Sequence, residues 1–272
     1  MTRPALTLSL VLGLFLSSFV QAQEQTDIAQ LKPEFLAPKI AIVVDDLGYQ
    51  RASGRTLSQL PYPLTLAVIP DTPHAHEVIE GALLSGQEVI LHVPMEPLEE
   101  QSWEQGLRTD MDDRDVKNHL EQIFERYPRV RGINNHGGSK LTANLEHMTW
   151  VMQTLAERDI FFLDSRTTHK SRAIEAAQLS QVRHATRDVF IDNVQNDSAI
   201  DTQFEKLKNL ARKHGSAIAI AHPYPITIKQ LEKQLPQLEQ EGFQLVFCSQ
   251  LLKSSSNPAH TISLKTSEMH VR

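Results

Sequence analysis

Residues suited to metal or proton chemistry recur at one kind of position in this chain, directly after short strand-like runs. Asp45 and Asp46 follow 40–44, His92 follows 89–91, His136 follows 131–135, Asp164 follows 160–163 and His222 follows 217–221. The carboxyl ends of parallel strands converge on one rim, where α/β barrels and open α/β sheets build their sites. We therefore expect these carboxylates and imidazoles to lie together in one site.

The adjacent carboxylates Asp45 and Asp46 repel one another unless a cation or a bound proton compensates them. The alternative is that one of them caps the next helix while the other is solvated. Farther along the chain, Asp164 precedes Arg166 by two residues. That pair is either a structural ion pair or a means of keeping a neighbouring carboxylate ionised, as a catalytic base requires.

His92 and Glu96 are four residues apart, a spacing that places two side chains on one face of a helical turn. In that position they could hold a divalent cation together. Pro94 and Pro97 argue against a regular helix, so Glu96 stays an open alternative as a ligand. His92 taken alone could equally be a histidine of the core.

The segment 132–139 combines glycines with amide side chains. Glycine lets the backbone approach a ligand closely, although simple turn chemistry explains the segment equally well. Asn134 or Asn135 could donate to a substrate oxygen or orient a metal ligand, and we group both with Ser139 as candidate substrate-binding residues. His222 ends a later strand, where an imidazole can titrate near neutrality.

Strand-like runs alternate with helical patterns from residue 39 onward. The predicted strands are 40–45, 64–69, 88–93, 131–135, 160–164, 188–192, 217–222 and 244–248, and the predicted helices are 74–86, 112–126, 144–158, 171–179, 201–214 and 228–241. The strands are rich in Ile, Val, Leu and Phe without strict alternation, as expected of strands buried on both faces. This order indicates an α/β fold with mostly parallel strands, and about eight strands in one domain favour a barrel.

The two ends of the chain are predicted to lie outside the fold. Residues 1–22 combine the positive Arg3, an apolar stretch and a small-x-small cleavage pattern, as secretory signal peptides do. We therefore expect export to the periplasm, with 23–38 as a flexible lead-in, 39–252 as the folded domain and 253–272 as a disordered tail. The apolar stretch is short for a bilayer span, so we expect cleavage rather than a retained anchor and no stable membrane insertion.

Composition narrows the classes of partner. The 272 residues include 27 basic and 33 acidic side chains, which give a formal net charge of −6. Because no basic stretch stands out, we expect no nucleic-acid partner. The single cysteine, Cys248, cannot form an internal disulfide, so the stability of the fold must come from its core.

Taken in order, these segments resemble the polysaccharide deacetylase superfamily, and specifically its divergent branch, over roughly residues 39–250. The resemblance implies an irregular (β/α) barrel of seven or eight strands, in which Asp45 is the catalytic base and Asp46 binds a metal. His92 matches the first residue of the family's His-x-x-x-His motif. Glu96 stands where the second histidine of that motif belongs, so this part of the pattern is altered.

The missing histidine leaves two ways to complete the implied metal site. Either Glu96 replaces it, or His136 enters from the glycine-rich loop. We prefer Asp46, His92 and His136, because two imidazoles and one carboxylate suit zinc and leave one position open for water. By the same resemblance, His222 is the acid that protonates the leaving group.

The resemblance implies an exported hydrolase that uses a divalent metal such as Zn²⁺ to remove acetyl groups from a cell-envelope or exported carbohydrate. Asp164 and Arg166 join Asp45 and His222 as its predicted catalytic residues, with Arg166 helping to keep the base ionised. One alternative is a weakly active or inactive barrel that binds envelope glycans as a scaffold. Another is a different metal-dependent hydrolysis on the same barrel, such as ester cleavage.

Overall fold

The computed structural model describes residues 37–99 and 106–254, and its centre is a sheet of nine strands. The strands are β1 (Lys39–Leu47), β2 (Thr65–Val68), β3 (Glu88–Met95), β4 (Gly132–Gly137), β5 (Phe161–Asp164), β6 (His184–Thr186), β7 (Val189–Phe190), β8 (Ser216–Ala221) and β9 (Gln244–Leu245). All of these strands pair in parallel, in the order β6-β5-β4-β3-β2-β1-β8-β7, with β9 beside the start of β1. The sheet curls into a half-barrel, which confirms the predicted α/β barrel of mostly parallel strands.

Strand β1 shows why the sheet is buried on both faces. Ile40, Ile42 and Val44 pack into one apolar cluster, which joins the sheet to the helices. Ala41 and Val43 belong to a second cluster, built mainly by strand residues inside the curl. Successive side chains of a strand point to opposite faces, so a continuous apolar run fills both layers.

Seven α-helices within the described residues surround the sheet. They are α1 (Arg51–Ser58), α2 (Ala75–Leu84), α3 (Asp113–Arg126), α4 (Leu145–Glu157), α5 (Ala173–Leu179), α6 (Asp197–His214) and α7 (Pro225–Gln240). All six predicted helices are present, with ends that differ from the predictions by no more than four residues. Along the chain, each helix follows one strand and precedes another that runs parallel to it, as in strand–helix–strand connections.

The predicted elements omit α1 and β6. Helix α1 contains one large apolar residue, Leu57, so it shows little helical periodicity. It packs closely through Gly54, where a Cβ atom would lie 2.7 Å from the side chain of Val78. Strand β6 has three residues, too few to reveal a period. Helix α6 begins four residues before its predicted start, because the Asn196 side chain accepts a hydrogen bond from the Ala199 amide and caps it.

Most of the predicted terminal segments lie outside the described residues, including the whole signal peptide (1–22) and all of the tail after residue 254. The beginning of the predicted tail is attached to the fold, because Lys253 and His184 exchange two backbone hydrogen bonds. Over the ranges that the structure describes, no helix has both the length and the apolar character needed to cross a bilayer.

Candidate metal centre

Three strand ends bring Asp46, His92 and His136 together. Asp46 lies near the end of β1, His92 within β3, and His136 near the end of the neighbouring strand β4. The Oδ1 atom of Asp46 is 3.3 Å from Nε2 of His92 and 3.0 Å from Nδ1 of His136. One ligand atom from each residue lies within 4.8 Å of the others. The fold thus brings the three predicted metal ligands together in one small volume.

The geometry of this cluster fits a divalent cation. Asp46 Oδ1 is buried and accepts no hydrogen bond from the described residues, although two imidazole nitrogens lie beside it. Burial works against ionisation, but His136 and His92 still hold the pKa of Asp46 well below its usual range. An ionised carboxylate oxygen facing two imidazoles is a donor set that suits zinc and related ions.

Asp46 also has an unusual backbone, with φ at 57°. A residue other than glycine in this left-handed region costs about 1–2 kcal/mol and persists where the surrounding structure requires it. The turn directs the Asp46 carboxylate toward His136 while the preceding Asp45 stays in line with the strand. Adjacent acids can therefore serve two different purposes.

Asp45 is buried beside the cluster and is linked to it by Asn134. Its Oδ1 accepts a hydrogen bond of 2.8 Å from Nδ2 of Asn134, whose Oδ1 lies 2.8 Å from Nδ1 of His92. Burial raises the pKa of Asp45, with His92 and His222 acting in the opposite direction. A buried carboxylate that binds a proton more readily than usual suits a general base.

Asn134, a predicted substrate-binding residue, is not among the residues that line the cleft. Its side chain is fully buried and already bonds to Asp45, His92 and Ser165. These contacts fit the other role open to Asn134, which is to orient Asp45 and His92. Asn135 does line the cleft, although its amide is bonded to the backbone of Ser165 and Gly137.

His222 faces the same cleft from the residue after β8, and Asp192 fixes its ring. Asp192 Oδ1 lies 3.0 Å from Nδ1 of His222, and Asp192 Oδ2 accepts hydrogen bonds from the His222 amide and the Thr227 hydroxyl. Burial opposes protonation, but Asp192 and Asp45 raise the pKa of His222 above its ordinary value. The candidate acid is therefore held in place and favoured in its protonated form.

Asp192 is absent from the predicted site, although the sequence contains a signal for it. The parallel register of β7 and β8 pairs Phe190 with Ile220. Asp192 and His222 each lie two residues beyond this pair, so they face one another. The predicted strand 188–192 ends at Asp192, but its pairing with β8 cannot be deduced from periodicity.

Asp164 and Arg166 do not form the predicted side-chain pair. Asp164 accepts hydrogen bonds of 2.8 Å from the backbone amide of Arg166 and from the hydroxyl of Ser171. Burial raises the pKa of Asp164. Within the described chain, the Arg166 guanidinium makes no direct ion pair with Asp164 or with Asp45, and it acts on Asp164 only at longer range. Asp164 instead holds the turn that carries Arg166.

Glu96 and Ser139 lie away from the metal ligands and fix a loop. Glu96 accepts two hydrogen bonds of 2.6 Å from Thr109 and is 2.6 Å from Nζ of Lys140. Although partial burial opposes it, these contacts lower the pKa of Glu96 to about 2. Ser139 accepts a hydrogen bond from the Leu98 amide. Glu96 is thus outside the group of possible ligands, and neither Glu96 nor Ser139 is among the residues that line the cleft.

A cleft of about 370 Å³ unites the site. Its lining residues are Asp45, Asp46, His92, Asn135, His136, Gly137, Ser165, Arg166, Thr167, Arg187, Phe190, Ile220 and His222. Two carboxylates and three imidazoles line the cleft, together with two arginines and one aromatic ring. A cleft that joins a metal-type cluster to a buried base and an oriented acid can support hydrolysis.

Comparison with known proteins agrees with this geometry. A family profile described as divergent polysaccharide deacetylase matches residues 42–252. The uncharacterized protein YibQ of Escherichia coli strain K12 is 40% identical over 223 residues, which cover 82% of this chain and 70% of YibQ. An uncharacterized protein of Haemophilus influenzae is 37% identical over 213 residues, which cover 78% of this chain and 76% of the relative.

The fold is also similar to that of a solved structure, over most of the length of both chains. It is the crystal structure of uncharacterized protein ATU2773 from Agrobacterium tumefaciens C58, with a TM-score of 0.73 and 22% sequence identity. The match covers 81% of this chain and 91% of that protein. At this identity the likeness shows a common fold, and the chemistry must be argued from the site itself.

Proposed function

The chain belongs to the divergent polysaccharide deacetylase family, and from that premise we propose that it is a metal-dependent hydrolase that removes acetyl groups from a carbohydrate. The observation that carries the proposal is the arrangement of Asp45, the Asp46–His92–His136 cluster and His222 around one cleft. A base, a cation site and an acid are the three components that metal-assisted hydrolysis of an acyl group needs.

Asp46, His92 and His136 would hold the cation. When bound, a divalent ion polarises an acyl carbonyl and lowers the pKa of water from 15.7 toward about 7. Asn134 fixes the His92 ring from behind through its 2.8 Å contact with Nδ1, which leaves Nε2 directed toward Asp46. Such outer contacts set the tautomer and the orientation of a histidine ligand.

Asp45 takes the proton of the attacking water. Asn134 contacts the Asp45 carboxylate through its Nδ2 atom and the His92 ring through its Oδ1 atom. The base and the ligand of the proposal therefore have fixed relative positions. Because burial raises the pKa of Asp45, the carboxylate accepts a proton more readily than a solvated aspartate. General base catalysis of this kind contributes about 10²–10⁴-fold.

His222 delivers a proton to the leaving amine or alkoxide. Asp192 occupies Nδ1, so Nε2 is the atom that faces the cleft, 3.8 Å from Oδ2 of Asp46. The raised pKa of His222 keeps its imidazole protonated at a higher pH than a free histidine. The acid and the base of the proposal therefore lie at the same cleft, each oriented by its own neighbouring side chain.

Acetate release tests this function. The purified chain, supplied with Zn²⁺ or Co²⁺, is incubated with acetylated chitooligosaccharides and acetylated xylan, and free acetate is measured. Release that is lost in Asp45→Asn and on chelation supports deacetylation. Glycan binding without acetate release would contradict it and would favour the scaffold alternative. Release from small acetyl esters alone would favour general esterase chemistry.

We also propose that the chain is exported, since residues 1–22 have the pattern of a signal peptide. The proposal is tested by expression of the full chain, fractionation and N-terminal sequencing. A product that begins at Gln23 in the periplasmic fraction supports cleavage and export. A product that retains residues 1–22 in the cytoplasmic fraction would overturn it.

A further inference from the structure

Two arginines stand beside the candidate metal centre. Arg166 and Arg187 both line the cleft that contains Asp46 and His222. The same two arginines, with Thr168, His169 and Asp188, also line an adjoining recess of about 250 Å³. The recess thus adjoins the cleft at these two arginines, and its principal charged groups are cationic.

We propose that Arg166 and Arg187 form a subsite for an anionic group, a carboxylate or a phosphate, carried by the acetylated carbohydrate. This inference rests on the proposed function, because it assigns the substrate class of the same cleft. Guanidinium groups present forked donors that match the oxygens of carboxylates and phosphates. An anionic sugar would bind with its acetyl group at the metal centre and its acid in the recess.

Arg166 combines an unfavourable backbone conformation with an exposed side chain. Its backbone has φ at 51°, a conformation that glycine adopts without strain and that costs other residues about 1–2 kcal/mol. Its side chain is exposed, and within the described residues its guanidinium makes no hydrogen bond or ion pair. A strained arginine whose guanidinium makes no hydrogen bond or ion pair within the described residues points to a ligand outside the chain.

Arg187 is held in place by neutral groups. Its Nε donates a hydrogen bond of 2.8 Å to the carbonyl of Ser165, and one Nη donates to the carbonyl of Arg166. Its guanidinium lies 5.1 Å from the centre of the Phe190 ring. These contacts fix the group without neutralising it, and no described carboxylate lies within 4 Å in an ion pair with it. Burial and the nearby Arg166 lower the pKa of Arg187, so an anion between the two would relieve their repulsion.

The acids near the recess are already occupied. Asp188 Oδ2 accepts a hydrogen bond of 2.8 Å from the Ile218 amide. Asp164 is bonded to the Arg166 amide and to Ser171. Asp164 and Asp188 act on Arg187 electrostatically, but neither carboxylate forms an ion pair with Arg166 or Arg187 among the described residues, so both guanidinium groups keep free donors for a ligand.

The test compares matched sugars on the full chain in an Asp45→Asn background, which blocks turnover. N-acetylglucosamine is the neutral probe, N-acetylmuramic acid carries a carboxylate, and N-acetylglucosamine 6-phosphate carries a phosphate. We expect at least one anionic sugar to bind about tenfold more tightly than the neutral one by calorimetry, and to lose that advantage as salt is raised. The tighter of the two anionic sugars identifies the group.

Two variants and a control assign the effect to the recess. Arg166→Gly is expected to abolish the preference while leaving the melting temperature unchanged or higher, because glycine suits φ of 51°. Arg187→Gln is expected to abolish it as well. Arg183→Gln removes one exposed charge at the start of β6, on the opposite end of the strands, and is expected to keep the preference.

Equal affinity for all three sugars, or a preference that survives both Arg166→Gly and Arg187→Gln, would overturn the subsite. The proposed function fails separately, through absent acetate release in the Asp45-containing chain. Anion preference without release would leave the subsite standing and remove the hydrolase. Release from neutral sugars without anion preference would do the reverse.

Discussion

The Nδ1 atom of His222 lies 3.0 Å from Oδ1 of Asp192, and the other oxygen of that carboxylate binds the His222 amide and the Thr227 hydroxyl. Three contacts to one carboxylate fix the ring and place the mobile proton at Nε2. Asp45, the proposed base, has different partners: Asn134 donates a hydrogen bond to its Oδ1, and Nε2 of His92 lies 3.6 Å from its Oδ2. The proposed acid and the proposed base are therefore held by separate sets of contacts in one cleft.

Asp192→Asn is expected to move the alkaline limb of the pH profile of kcat/KM to lower pH. The pKa of His222 is raised by Asp192 despite burial, so removal of that charge lowers the pKa. Since the protonated imidazole is the active form, activity is then lost at a lower pH. Asp159→Asn, an exposed acid far from His222 in the chain, is the control. An alkaline limb that stays in place would contradict the assignment of His222 as the acid.

Asn134→Ala is expected to weaken metal affinity about 10–100-fold, because a contact that orients a histidine ligand is lost. The buried Asp45 loses its hydrogen bond at the same time. Competition with a chromophoric chelator measures the affinity. Asn135→Ala is the matched control and should keep the metal affinity. Its amide contacts Ser165, Gly137 and Thr167 but neither Asp45 nor His92. Equal losses in both variants would refute the specific role of Asn134.

Glu96→Gln is expected to leave metal stoichiometry unchanged. The structure commits this carboxylate to Thr109 and Lys140, which together lower its pKa to about 2 against the effect of burial. Elemental analysis of the variant decides the matter. A stoichiometric loss of metal would mean that Glu96 reaches the cluster after all, in place of His136.

Gly132→Ala is expected to reduce the free energy of unfolding by about 1–3 kcal/mol. A Cβ atom at Gly132 would lie 2.6 Å from the ring of Phe161, which is among the fully buried side chains. Urea denaturation measures the loss. Gly81→Ala is the control, because its Cβ would meet nothing within 4 Å and the substitution favours helix α2, with a gain of about 0.5–1 kcal/mol. A neutral result at Gly132 would show that the Phe161 ring yields.

The sequence predicts strand ends well and their partners poorly. Asp46, His92 and His136 follow apolar or β-like runs, so their convergence could be expected from parallel strand geometry. Asp192 could not be assigned, because its role depends on the register between β7 and β8. The structural role of Glu96 depends on its contact with Thr109, which is thirteen residues farther along the chain. Periodicity in the sequence does not determine the path between the two.

Elemental analysis of the purified chain, residues 23–272, tests the central claim most directly. The wild type and the His222→Ala variant are expected to contain about one divalent ion per chain, whereas Asp46→Ala and His136→Ala are expected to contain none. His222 is the appropriate control because its imidazole shares the cleft but lies outside the ligand cluster. A wild-type chain that binds no metal even after reconstitution would contradict the proposed hydrolase.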